Sequence, residues 1–246
     1  MLGNLFNEIL YRPIFNVLVF LYNIVPGHDF GIAIILLTIL IRIVLYPIMY
    51  KSTKSRFALS AIQPKIKEVQ QKYKTKEEQS RELMKVYKEH NVNPFSGCLP
   101  LIIQIVVLFQ LYKVLINVLK PDSLSALYPF IHHPGAINPS FLGIVDLSVA
   151  NIVIVALAAI AQFFSSKIML KLSPQPQMPQ TENKKRGDFT KIMSKQMVYF
   201  GPILTILIGL KLPAGLSLYW LVSNVLGVAQ DYYLLNKFHG KDKKNN

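Results

Sequence analysis

One charged residue lies deep inside an apolar stretch of the chain. Arg42 interrupts the apolar run 30–50, well before the next cation, Lys51. At 1.5 Å per helical residue, the guanidinium lies about 13 Å inside the run from its Lys51 end. A cation there costs at least about 2.5 kcal/mol on insertion scales. Two interpretations of Arg42 therefore stay open: it has a functional role, or it is a snorkelling arginine whose long stem reaches the interface. Thr38, one helical turn earlier, extends the polar stripe on the same face.

Uncharged polar residues interrupt three other apolar stretches at a comparable depth: Gln104, Gln162 and Asn224. Each alone is typical of an amide that hydrogen-bonds between helices. Together with Arg42 they could instead line a water-filled cavity, which would remove the desolvation cost of the guanidinium. Trp220 fits either an interfacial aromatic or a cap over such a cavity. From the residues alone, both interpretations stay open.

Enzyme chemistry has little support in the sequence. The apolar stretches carry no paired aspartates, no G-x-S-x-G and no H-E-x-x-H. His132 and His133 lie beside Pro134 without further ligands nearby, so no metal site is expected. Cys98 is the single cysteine, which excludes an internal disulfide, and its ordinary role is packing. We expect a protein that is not an enzyme and that uses no cofactor or metal.

The composition predicts a polytopic, all-α membrane protein. The chain has 246 residues, of which 52% are hydrophobic, and its formal net charge is +14. About 20 apolar residues suffice for a helix that crosses roughly 30 Å of hydrocarbon. The basic residues flank the apolar stretches, so the net charge predicts membrane contact rather than recognition of a specific nucleic acid sequence. Four stretches contain only Arg42, Lys113, Lys211 and Asp231 as charged residues: 30–50, 99–119, 147–166 and 197–235.

Basic residues alternate between the segments that join the apolar stretches. Segment 51–98 carries 11 Lys and Arg and 171–195 carries six, whereas 121–146 carries none. Because cytoplasmic segments are enriched in Lys and Arg, the N-terminus is expected outside and the C-terminus in the cytoplasm. Five transmembrane helices satisfy this pattern: 30–50, 99–120, 147–168, 196–211 and 214–235. The break between the last two falls at a Pro-Ala-Gly turn.

The remaining segments complete the predicted organisation. Segment 1–29 contains an apolar run too short to span, which predicts an outer, interfacial amphipathic helix; a frayed extension of the first span is the alternative. Segment 51–98 has helical periodicity and a Thr75–Glu78 capping-box spacing, and we expect a cytoplasmic helical hairpin. The other expected segments are an outer loop 121–146, a cytoplasmic linker 169–195 and a basic cytoplasmic tail 236–246.

Four motifs give the chain a specific resemblance. They are Leu37–Pro47 around Arg42, Gln63–Lys67, Asn93–Pro100 followed by Gln104, and Leu212–Asn224. In this order they resemble the YidC/Oxa/Alb family of membrane protein insertases, over residues from about 5 to 238. The resemblance is to the short bacterial form. It implies five core helices around a hydrophilic groove that opens to the cytoplasm and to lipid, with Arg42 as the arginine of the groove.

The resemblance also implies a function and partners. The groove would take hydrophobic segments of nascent membrane proteins and release them sideways into the lipid of the bacterial plasma membrane. Anionic lipids, the ribosome and the Sec translocon are further expected partners, although the tail is shorter than in members that hold ribosomes strongly. The groove residues would be Arg42, Thr38, Gln104, Gln162, Trp220 and Asn224. The alternative is a small transporter or anion channel with Arg42 as its binding charge, but paired broken helices in two halves are not visible.

Overall fold

The computed structural model describes residues 7–73, 75–93, 99–172 and 198–242, which are mostly helical. Most of the predicted linker 169–195, the end of the tail 236–246 and Cys98 lie outside these ranges. A short antiparallel hairpin pairs β1 (Ser140–Phe141) with β2 (Val145–Asp146). The helices are α1 (Arg12–Ile24), α2 (Phe30–Ala61), α3 (Gln63–Lys72), α4 (Lys76–Glu89), α5 (Leu99–Val118), α6 (Ile152–Leu172), α7 (Val198–Gly209) and α8 (Ala214–Asp242).

Within the described ranges, three helices are long and apolar enough to cross a membrane, namely α2, α5 and α6. Helix α7 is apolar but shorter. Helices α2 and α8 both continue beyond the predicted ends of their spans at 50 and 235, to Ala61 and Asp242 respectively. Length and composition therefore support a multispanning protein.

Helix α1 is a separate element and not a continuous extension of α2. The chain leaves the α-helix at Val25 and passes through a short turn in which Gly27 has φ 75°, a conformation that favours glycine. Asp29 then accepts a hydrogen bond from the backbone N–H of Ile32 (2.9 Å), which caps the start of α2. The interruption lets α1 take a direction of its own.

The residues divide into two units, each with its own buried cluster. The first unit contains residues 1–45, 101–162 and 202–226. One face of α1 is completely buried in its core, while Phe20 and Ile24 on the other side are about half exposed. Burial of one face together with exposure of the other is typical of an amphipathic helix. Fully buried large side chains of this core include Phe15, Leu18, Phe30, Ile34, Leu111, Leu147 and Leu216.

A buried asparagine joins α1 to the segment that follows α5. The Asn16 side chain is 1% exposed and donates to the carbonyls of Arg12 (2.8 Å) and Ala126 (3.3 Å). Its oxygen accepts from the backbone N–H of Tyr128 (2.6 Å). The amide nitrogen and the amide oxygen of Asn16 thus both have hydrogen-bond partners inside the core, as a buried polar group requires.

The start of α6 differs from the predicted span, which began at 147. The carbonyls of Leu147 and Val149 accept from the backbone N–H groups of Gly215 (3.0 Å) and Ala214 (2.9 Å), so this non-helical segment caps α8. The Asn151 side chain then accepts from the N–H of Val153 (3.0 Å) and caps α6. Helix α6 therefore begins only after the segment 147–149, whose carbonyls cap the start of α8.

The second unit contains residues 46–100, 163–201 and 227–246. Helices α3 and α4 form a hairpin around a small cluster that includes the fully buried Ile66 and the buried Tyr87. Thr75 is the N-cap of α4 and accepts from the N–H of Glu78 (3.3 Å). The buried Gln79 donates to the carbonyl of Tyr73 (2.5 Å) and so holds the connection between the two helices.

We predict that Asn16→Ala lowers the stability of the purified protein in detergent by about 1–3 kcal/mol, because the buried N–H of Tyr128 would lose its acceptor. The control is Asn23→Ala, which removes a more exposed amide bonded to the carbonyl of His132 (2.6 Å). Thermal unfolding should show a clear fall in Tm for the first variant and a much smaller one for the second. Equal falls would contradict the role of the buried amide.

Candidate functional site: a polar layer centred on the last helix

Arg42 lies on α2 and is tied to α8. Its Nε donates to the hydroxyl of Ser223 (3.2 Å), and its Nη2 donates to the same hydroxyl (2.9 Å) and to the Ser223 carbonyl. The side chain is half-buried. The groups of Ser223 are uncharged, and these bonds fix the guanidinium in place on α8.

Gln104 of α5 reaches the same helix one turn earlier. Its Nε2 donates to the hydroxyl of Tyr219 (3.1 Å), a residue that is 2% exposed. Arg42 and Gln104 therefore bond to two residues, Ser223 and Tyr219, that lie one turn apart on one face of α8.

Gln162 of α6 contacts the neighbouring face of α8. Its Oε1 accepts from the indole N–H of Trp220 (3.0 Å), and both side chains are half-buried. The Asn224 side chain is 8% exposed and donates to the Trp220 carbonyl (2.9 Å). The structure thus brings Arg42, Gln104 and Gln162 to residues 219–224 of α8, the stretch that carries Trp220 and Asn224. We call these five side chains, together with Tyr219 and Ser223, the polar layer.

Thr38 occupies a different environment from the rest of the predicted set. Its side chain is fully buried, and its hydroxyl donates to the carbonyl of Ile34 (2.7 Å) in its own helix. The buried Thr38 therefore adds no exposed polar surface to the polar layer.

The second unit holds a buried ion pair that our reading of the sequence missed. Arg56 is 4% exposed, and its Nη2 lies 3.5 Å from the carboxylate of Asp231. Thr53 accepts from Arg56 (2.8 Å) and donates to Asp231 (3.0 Å), so the pair is closed by a third polar group. The available signal was Asp231 itself, the single acidic residue in the stretch 197–235. We assign this cluster a structural role, since removing one member of a buried pair is strongly destabilising.

Metal chemistry finds no support in the described residues. Within 7–73, 75–93, 99–172 and 198–242, no three His, Cys, Asp or Glu side chains lie close enough together to hold a metal ion. The polar layer offers amides, hydroxyls, an indole and a guanidinium.

Known proteins match this chain over most of its length. The model of the family described as 60Kd inner membrane protein matches residues 20–242. The chain belongs to this family, that of the YidC membrane protein insertases.

Individual YidC relatives differ in length. A "Membrane protein insertase YidC" from Fusobacterium nucleatum is 32% identical over 231 residues, which is 93% of this chain and 98% of the relative. One from Magnetococcus marinus is 35% identical over 93% of this chain, but the chain spans only 36% of that relative. The solved "Active YidC insertase crystal structure with the first transmembrane domain resolved" matches with a TM-score of 0.58 and 27% identity, over 91% of this chain and 47% of that one.

In this YidC-family chain, the sequence pointed to the polar residues and to Trp220, the partner of Gln162, but not to the partners of Arg42 and Gln104. Ser223 and Tyr219 were part of the Leu212–Asn224 motif, yet neither was singled out as a site residue. Their spacing of four residues on a helix that also carries Trp220 and Asn224 was the available signal.

We predict that Gln162→Leu shifts the fluorescence emission of Trp220, the single tryptophan, to shorter wavelength. The reason is that the indole N–H would lose its hydrogen-bond acceptor to an apolar side chain. Gln104→Leu is the matched control, because Gln104 bonds to Tyr219 and should leave the emission maximum unchanged. An unchanged spectrum for Gln162→Leu, or equal shifts in both variants, would contradict the assigned bond.

Proposed function

We propose that the polar layer lines a hydrophilic, positively charged groove in the inner-leaflet half of the membrane, and that this groove receives segments of nascent membrane proteins. The observation that carries the proposal is the half-buried Arg42, held on α8 by the neutral Ser223 at the level of Gln104 and Gln162. Polar groups exposed to hydrocarbon cost several kcal/mol each, so a half-exposed layer of this kind calls for water beside it.

The proposed orientation follows from charge. Five spans would place the basic segments 51–98 and 171–195 and the C-terminal tail in the cytoplasm, with α1 and the loop 121–146, which has no Lys or Arg, outside. Helix α1 would lie in the outer interface, since its exposed side chains Phe20 and Ile24 are apolar and one turn apart. The described helices α2, α5 and α6 supply long apolar elements for this arrangement.

In the proposed mechanism, the groove shortens the hydrocarbon barrier that the polar flank of a client must cross. A client with an acidic tail enters the wet groove, where Arg42 attracts its carboxylates more strongly than it would in bulk water because the nearby dielectric is low. The apolar part of the client meets lipid along the exposed sides of the spans. Burial of its apolar surface, at about 25 cal/mol per Å², drives its release into the bilayer. The chain's own residues attract and position the client, and no nucleotide is required.

The proposed partners follow from the same arrangement. Nascent membrane proteins are the clients, and anionic headgroups meet the basic cytoplasmic segments. The ribosome and the Sec translocon would deliver clients, the former with a limited contribution from the short tail of four lysines in 236–246.

We predict that Arg42→Glu abolishes insertion of clients with acidic translocated tails, whereas Arg42→Lys retains much of it. The groove needs a cation, and lysine keeps the charge while losing the paired bonds to Ser223. The measurement is complementation of a depletion strain, with protein abundance determined in parallel. Lys113→Glu, which reverses the charge of an exposed cation in another apolar stretch, is the control and should retain activity. Full complementation by Arg42→Glu would refute the groove charge.

We also predict that single cysteines at positions 104 and 162, in a Cys98→Ser background, react with a water-soluble maleimide added from the cytoplasmic side. A cysteine at position 43 should react slowly although Ile43 is 63% exposed, because that surface would face lipid. A cysteine at the fully buried position 38 should also react slowly. If positions 104 and 162 label no faster than position 43, the polar layer is a dry set of interhelical hydrogen bonds.

A further inference from the structure

The β1–β2 hairpin ends in an apolar turn that the protein leaves uncovered. Leu142 is 59% exposed and Ile144 is 84% exposed, with Gly143 between them. In this position, at the tip of a loop, the fold does not bury these large apolar side chains. Neighbouring exposed apolar groups of this kind mark a surface that meets another apolar phase.

The backbone of the turn is strained in a way that keeps one of these side chains outward. Leu142 has φ 53°, in the left-handed region that glycine or asparagine normally occupies. A glycine there would make the same turn without the steric cost. The leucine therefore carries a steric cost at this position that a glycine would not have.

The turn is also held rigidly. The Asp29 carboxylate accepts the backbone N–H of Leu142 (2.5 Å) through one oxygen while its other oxygen caps α2 at Ile32 (2.9 Å). Phe141 packs against Gly31 so closely that a Cβ on that glycine would lie 2.0 Å from the phenyl ring. The tip thus has a fixed position relative to the start of the first span.

We propose that the turn 142–144 inserts into the outer-leaflet interface of the bilayer and anchors the outer side of the protein there. Two further observations identify lipid as the occupant. Exposed apolar side chains recur after the turn at Val149, Ile152 and Val153, and the last two lie at the start of α6, which is long and apolar enough to cross the membrane. The loop 121–146 carries no Lys or Arg, so neither of these cationic side chains is available there to an acidic protein partner. The inference rests on the outer location proposed for this loop.

The test measures the depth of the turn directly. Ile144→Cys and, as control, Ala136→Cys in the same loop are made in the Cys98→Ser chain, labelled with the fluorophore NBD and reconstituted into phosphatidylcholine vesicles. Ala136 is exposed and lies in a different bend of the same loop. Quenching is measured with iodide present on both sides of the vesicles, and separately with phosphatidylcholine that carries a nitroxide near the headgroup. Because iodide is on both sides, the orientation of the protein does not influence the result.

The expected result is that iodide quenches the label at 144 several-fold less than the label at 136, and that the nitroxide lipid quenches 144 more. Equal iodide quenching at both positions would place the turn in water and overturn the proposal. Protection from iodide without quenching by the nitroxide lipid would also overturn it, since a second copy of the chain would then cover the turn. The same measurement in an Arg42→Glu background should be unchanged, so a failure of the groove mechanism is distinguishable from a failure of this inference.

Discussion

A guanidinium inside an apolar span must have fixed hydrogen-bond acceptors and some access to water. Ser223 provides the acceptors, because its hydroxyl and carbonyl both receive hydrogen bonds from Arg42. The rest of the polar layer is built on the same helix. Tyr219 and Ser223 form one i, i+4 stripe towards α2 and α5, and Trp220 and Asn224 form a second stripe, where Trp220 bonds to Gln162 of α6.

The position of this layer depends on how α8 begins. The carbonyls of Leu147 and Val149 cap the first N–H groups of α8, so the segment before α6 fixes the helix that carries Tyr219–Asn224. Gly215 permits the close approach of α8 to α2 here, since a Cβ there would lie 3.2 Å from the Ile34 side chain. Residues far from Arg42 in sequence therefore determine the depth at which its acceptors lie.

The two faces of the first unit use polar groups differently. In the segments around α1, the side chains of Asn16 and Asp29 bond to backbone groups of the loop that follows α5 and so hold that loop against the core. In the polar layer, side chains from three helices bond to side chains of α8 and stay half-exposed. The first arrangement closes the structure and the second presents polarity, which is the asymmetry that a groove open on one side needs.

The sequence determined the helical, membrane-spanning class and the family, because apolar length, the alternation of basic segments and four ordered motifs are local properties of the chain. It also identified Arg42, Gln104 and Gln162 as unusual, since a polar group in hydrocarbon is conspicuous in any arrangement. Their partners were decided only by the tertiary structure. Hydrogen-bond acceptors such as the Ser223 hydroxyl are common residues in unremarkable positions, and only the packing of α8 selects them.

Burial, too, was decided by the fold. Thr38 shares a face with Arg42 in sequence, but the packing of α2 encloses it completely and its hydroxyl turns to its own backbone. Leu142 is an ordinary apolar residue in the sequence, and its exposure and its left-handed backbone follow from the contacts of Asp29 and Phe141 with the start of α2. Residue type and spacing set which groups are costly to bury. Long-range packing decides which of them are buried, because it brings together segments that the local pattern cannot relate.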